Sequence, residues 1–122
     1  MSEKISEAEL VVMEALWDIA PQTANDVADR VAATRDWSLQ TVKTLLSRLM
    51  AKEAIAADQD GRRFLYRPTI ARDEYVAEES GRLVNRLFGG RVSPLVAQLA
   101  SQDQLSAEDI AELEDILKGL KS

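Results

Sequence analysis

The sequence predicts a mainly α fold with a small β-hairpin: an N-terminal winged helix-turn-helix followed by a C-terminal helical dimerisation segment. Three observations lead there. Three amphipathic helical patterns, each opened by a Ser or Thr cap, precede an alternating stretch interrupted by Asp60-Gly61. That order of three helices and a hairpin is the winged-helix order. Beyond Pro68 the pattern is helical only, with apolar stripes too thin to close an interior of their own. The predicted domains are therefore residues 1–72 and residues 73–122.

Ser6 stands three residues before Glu9, the spacing of a capping box, in which two otherwise orphaned helix amides are satisfied reciprocally. The first helix then runs to about Ile19, with Leu10, Met13, Leu16 and Trp17 on one apolar face, and Pro21 stops it. Thr23 with Asp26 forms a second cap, and Val27 and Val31 supply a core stripe to about Ala33. Ser38 caps a third helix ending near Glu53, and Trp37 before it is placed as a hydrophobic staple against Thr41 and Val42. Ile55 with Ala57, and Phe64 with Tyr66, follow the two-residue period of half-buried strands. Asp-Gly between them favours a tight antiparallel turn, and Pro68 ends the second strand.

Further helices are expected over about Arg72 to Leu87, from a Ser93-Pro94 start with serine capping, and from Ser106 to about Leu120. In the last, Ile110, Leu113, Ile116, Leu117 and Leu120 oppose Glu108, Asp109, Glu112 and Asp115. Such stripes pack either on the first half of the chain or on the same helices of a second chain. The second is preferred, because a bundle closed within one chain needs a deeper core. The dimerising positions are then Val84, Leu87, Leu95, Leu99, Ile110, Leu113, Ile116 and Leu117.

Composition narrows the function. The 122 residues contain no Cys and no His, which removes disulfides, thiolate nucleophiles, Cys/His zinc sites and His-dependent triads. The acids lie mostly on solvated helix faces, so neither an enzyme nor a metal or cofactor site is expected. No apolar run approaches the length of a bilayer span, and MSEKISEAEL has acids where a secretory signal has bases, so a cytoplasmic protein without membrane insertion is expected. The net charge of −6 is uneven. Residues 73–122 carry five bases against ten acids, whereas residues 38–67 carry six bases against three acids. A locally basic module can bind phosphates despite an acidic whole.

The stretch LQTVKTLLSRLMAK concentrates the functional signal. Val42, Leu45, Leu46, Leu49 and Met50 share one arc of the helix, which docks on the first two helices. Gln40, Thr41, Lys43, Thr44, Ser47, Arg48, Ala51 and Lys52 fill the rest, with no acid before Glu53. An ordinary solvated face mixes Glu with Lys and avoids Thr and Ser. Short hydroxyls, an amide and cations suit base edges and phosphates instead. The DNA-binding set is therefore Ser38, Gln40, Thr41, Lys43, Thr44, Ser47 and Arg48, joined by Arg62 and Arg63 beside the hairpin turn. Charge at a hairpin also protects an exposed strand edge, a reading of equal weight for those two arginines.

The segments SEAELVVMEALW (6–17), DWSLQTVKTLLSRL (36–49), GRRFLY (61–66) and DQLSAEDIAEL (103–113) resemble, in order, the penicillinase-repressor family of BlaI, MecI and the CopY relatives. The resemblance implies a homodimeric bacterial repressor on a palindromic operator with TACA/TGTA-like half-sites. It implies Thr41, Lys43, Thr44 and Arg48 as recognition-helix contacts and Arg62 or Arg63 at the wing. It also implies, for the β-lactam branch, a sensor-linked protease that cleaves the helical tail. Four positions depart from the family pattern: Leu39 replaces a proline, Ala54 replaces a glycine, Gln98-Leu99 stands at the Asn-Phe scissile pair, and the cysteine-rich metal motif of the copper branch is missing. Two other classes fit less of the pattern. One is a winged-helix protein-interaction module that does not bind DNA; the other is a ligand-sensing regulator of the MarR type, which usually places dimerising helices before the winged helix.

Overall fold

A computed structural model describes residues 4–122, so the first three residues of the predicted N-terminal domain lie outside the described part. The elements are α1 (Glu7–Asp18), α2 (Ala24–Val31), α3 (Leu39–Ala51), β1 (Ile55–Asp60), β2 (Arg63–Pro68), α4 (Arg72–Phe88), α5 (Ser93–Ser101) and α6 (Ala107–Lys121). The caps explain where the first three helices start. Ser6 Oγ accepts the Glu9 amide at 3.1 Å while Glu9 Oε1 accepts the Ser6 amide at 2.8 Å. Thr23 and Asp26 repeat this arrangement, and Ser38 Oγ accepts the Thr41 amide at 3.1 Å.

Val12, Met13, Leu16, Val27, Val31, Val42, Leu45, Leu46, Leu49, Ala54 and Ile55 form one buried cluster joined by Ile5. Full burial of one such side chain contributes about 1.5–3 kcal/mol, so this cluster holds α1, α2 and α3 together. It corrects three expectations. The deepest line of α1 is Val12, Met13 and Leu16, with Leu10 and Trp17 only half-buried. Met50 is exposed at the edge of α3 rather than in its core arc, and Phe64 is exposed near the tip of the hairpin. Trp37 packs against the cluster, and Arg35 lies 6.0 Å from its ring centroid. Trp17 also packs against the cluster, donating from Nε1 to the Ile70 carbonyl at 2.8 Å and meeting the Tyr75 ring at 5.6 Å.

The end of α3 turns on one residue. Glu53 has φ +62°, its amide reaches the Met50 carbonyl, and the Ala54 amide reaches the Leu49 carbonyl, both at 3.0 Å. This is a Schellman cap, with Glu53 at the position that usually takes glycine. The left-handed residue is thus Glu53, one position before Ala54, which stands where the family pattern has glycine. Thr69 then fastens the hairpin base, its hydroxyl donating to the Glu53 carbonyl at 2.6 Å and its amide to the Ala54 carbonyl at 2.9 Å.

β1 and β2 pair antiparallel with Asp60 opposite Arg63, so the turn is Gly61-Arg62, one residue later than the Asp60-Gly61 of the sequence reading. Gly61 takes φ +65°, the glycine-first arrangement of a tight hairpin turn. Gln22 adds an isolated bridge to β2: its amide donates to the Tyr66 carbonyl at 3.1 Å and its carbonyl accepts the Tyr66 amide at 2.7 Å. The Gln22 side chain is buried and donates to the Ala15 and Ile19 carbonyls at 2.8 and 2.5 Å. One side chain thus ends α1 while its backbone fixes the hairpin.

The chain divides into two compact units, residues 1–75 and 76–122. In the second unit, α4 ends at Gly89-Gly90, both with positive φ. α5 departs from expectation, since Val92 is its N-cap and Ser93 is already helical without a side-chain cap. α6 begins on a capping box of Ser106 and Asp109. No residue of α4, α5 or α6 is buried. Among the described residues, no helix is long and apolar enough to cross a membrane.

Candidate nucleic-acid interface

The buried arc of α3 dictates what its opposite arc shows. Gln40, Thr41, Lys43, Thr44, Ser47 and Arg48 are all exposed, as is the cap residue Ser38. Three hydroxyls here are already engaged within the helix and its cap. Ser38 Oγ and Thr41 Oγ1 lie 3.1 Å apart in a hydrogen bond, and Thr44 Oγ1 donates to the Gln40 carbonyl at 3.0 Å. Thr44 therefore offers a partner its methyl group and oxygen lone pairs, a chemistry that suits a thymine methyl. Lys43 and Arg48 form no ion pair among the described residues. Their charge remains available for an external anion.

Lys52 behaves differently, although the sequence reading placed it on the same outward arc. Its Nζ donates to Glu9 Oε1 at 2.5 Å and to the Lys4 carbonyl at 2.7 Å, and only 20% of its side chain is exposed. Glu9 is buried. Burial pushes its carboxyl up, but the Lys52 ammonium together with the Ser6 amide and hydroxyl outweigh that effect and hold it below its ordinary 4.5. This pair ties the start of α1 to the end of α3, so Lys52 positions the helix rather than contacting a ligand. Asp26 is also held low, by the Thr23 amide and hydroxyl that it caps and more weakly by Arg63.

Arg62 and Arg63 are exposed at the hairpin turn, but they are not equivalent. Arg63 is paired with Asp60 at 3.0 Å, while Arg62 forms no ion pair among the described residues. Arg67 is likewise occupied, by Asp58 at 3.0 Å. Lys43, Arg62 and Arg63 line one cleft of about 250 Å³ with Thr23, Asn25 and Phe64. The fold thus brings α3 and the wing to one place.

The expected dimerising residues form no enclosed core. Val84, Leu95, Leu99 and Leu113 are half-buried, and Leu87, Ile110, Ile116 and Leu117 are exposed. Gln98 and Leu99 lie within α5, Gln98 exposed and its carbonyl accepting the Ser101 hydroxyl at 2.8 Å. Sequence reasoning missed Gln22 as the residue that holds the wing, and Glu9 as the buried partner of Lys52. Only the Ser6–Glu9 spacing hinted at the latter.

Three helices, a hairpin wing and a solvent-facing third helix with uncompensated cations define a DNA-binding protein of the winged helix-turn-helix class. Comparison with known proteins gives the family. The penicillinase repressor family model matches residues 5–119, and this chain belongs to that family. The penicillinase repressor of Bacillus licheniformis is 36% identical over 119 residues, covering 98% of this chain and 93% of that protein. The methicillin resistance regulatory protein MecI of Staphylococcus aureus (strain N315) is 30% identical over 114 residues, 93% of each chain. Among solved structures, the monomeric form of Bacillus licheniformis BlaI in complex with the blaP half-operator matches with a TM-score of 0.54 and 36% identity, covering 62% of this chain and 92% of that one.

Proposed function

We propose that this chain is a homodimeric transcriptional repressor, acting in the cytoplasm, that binds a palindromic operator through α3 and the wing. The observation that carries this reading is the exposed face of α3, where Gln40, Thr41, Lys43, Thr44, Ser47 and Arg48 stand without an acid and the two cations without a partner. A helix of this kind fits the major groove, its short polar groups meeting base edges and its cap residue Ser38 approaching the backbone. Binding of a half-operator by monomeric BlaI supports the same use of this fold.

The unenclosed stripes of α4, α5 and α6 supply the second half of the reading. Val84, Leu87, Leu95, Leu99, Ile110, Leu113, Ile116 and Leu117 pack against their copies in a second chain, and two winged helices then face two half-sites. Linking two modest half-site contacts raises affinity far above either alone. Cleavage between Gln98 and Leu99 would sever α6 from the DNA-binding half and cancel that gain. A sensor-linked protease is the partner such relief would need.

Selection of bound duplexes from a random pool, at a stated salt concentration, tests the reading. Enrichment of a two-fold symmetric site is expected. No enrichment even at low salt would overturn it in favour of a protein-interaction module.

A further inference from the structure

Three elements converge on the cleft beside the wing: Thr23 and Asn25 from the start of α2, Lys43 from α3, and Arg62, Arg63 and Phe64 from the hairpin. The cations there are not alike. Arg63 is held by Asp60 at 3.0 Å, so its charge is matched within the protein. Lys43 and Arg62 form no such pair among the described residues. The cleft is also fixed before any ligand arrives. Gln22, buried against the end of α1, clamps Tyr66 of β2 through two backbone hydrogen bonds of 3.1 and 2.7 Å. Thr69 anchors the hairpin base to the end of α3. Helix and wing therefore meet at a set separation rather than as independent arms.

We infer that Lys43 and Arg62 close on one and the same backbone phosphate of each half-site, so that helix and wing register the duplex through a shared anion. The inference rests on the operator-binding reading and adds to it a specific coupling. Two uncompensated cations lining one small polar cleft suit a single tetrahedral oxyanion, and a duplex offers such groups in a fixed series. Base contacts by the rest of α3 then inherit their register from this one seat. Lys43 in this account positions the helix on the backbone and reads no base.

The test uses the full-length protein and the short duplex recovered by selection, with single phosphates replaced one at a time by neutral methylphosphonates. One position per half-site is expected to weaken the wild type by about tenfold. Lys43→Ala and Arg62→Ala should each weaken binding to the unmodified duplex several-fold. On the duplex modified at that one position, neither substitution should weaken it further. Additional losses there from either variant, or two different phosphates each silencing one variant, would show separate contacts and overturn the inference while leaving operator binding intact. Both side chains are exposed, so unchanged thermal midpoints of the variants confirm that the readout is binding. Failure to recover any duplex would remove this inference together with the reading beneath it.

Discussion

At the level of single residues, the ion pair of Glu9 and Lys52 makes the most consequential local commitment. A carboxylate 2% exposed keeps its charge because an ammonium 2.5 Å away and the Ser6 amide compensate it. Lys52→Met should cost about 2–3 kcal/mol at pH 7, less than a fully enclosed pair because Lys52 keeps part of its surface in water. The sign with pH follows from the carboxyl being held low in the folded state. Its stabilisation is complete above the ordinary value of 4.5 and is lost as pH falls through the lower folded value. Lys52→Met removes the main counterweight to burial, so urea midpoints from pH 7 to 3 should fall less steeply in the variant than in the wild type. Equal slopes would mean that the pair does not hold Glu9 charged. Arg48→Ala belongs to the same scale: if Arg48 reads a base, it should cost about 1–3 kcal/mol on the selected operator and little on unrelated duplexes. Titration of both duplexes at one salt concentration separates this from a phosphate contact, which weakens binding to both alike. The polar face holding Arg48 was legible because its residue types contradict helix propensity. The pairing of Lys52 was not legible because its partner lies 43 positions away, and wheel geometry says nothing about long-range pairs.

At the scale of elements, local rules placed nearly every helix start. Ser6, Thr23, Ser38 and Ser106 all cap through their side chains, whereas Ser93 does not. A proline directly after it allowed the helix to begin from Val92, with the Leu95 amide bonding the Val92 carbonyl at 3.0 Å. Turn positions were harder to place, because a capping signal fixes a start while the left-handed residue depends on where packing releases the chain. The end of α3 is the clearest case. Glu53 bears the positive φ, at about 1–2 kcal/mol for a side chain with a Cβ, and its acid sits by carbonyls at the negative end of the helix. Glu53→Gly should therefore stabilise the protein by about 0.5–1 kcal/mol after the added flexibility of the unfolded chain is counted. Ala54→Gly, at the position where relatives were expected to carry glycine, should destabilise it by about 0.5–1 kcal/mol, since Ala54 is buried and lacks a positive φ. Urea midpoints of the two variants should move in opposite directions; the reverse order would place the strain at Ala54 after all.

Across the whole molecule, the two units solve different problems. Residues 1–75 enclose their own core, whereas α4, α5 and α6 bury no residue and leave Leu87, Ile110, Ile116, Leu117 and Leu120 exposed. Isolated helices of this length are marginal in water, and in the proposed dimer their apolar partners come from the second chain. Glu108 and Asp115 of α6 lie opposite that stripe on the helix, with Glu112 and Glu114 at its flanks, and such charge favours solubility. Placing a charge in the stripe should then separate the two roles of the chain. Leu117→Lys is expected to convert a dimer into a monomer in sedimentation at micromolar concentration, because an ammonium enclosed between apolar stripes lacks a counter-charge. Operator affinity should fall by about 10²-fold as two tethered half-site contacts become one, while the protein still binds an isolated half-site. The thermal transition of the winged-helix unit should barely change, because none of its buried cluster includes α6. Retention of the dimer, or loss of half-site binding with it, would mean that α6 supports the winged helix directly and does not join two copies.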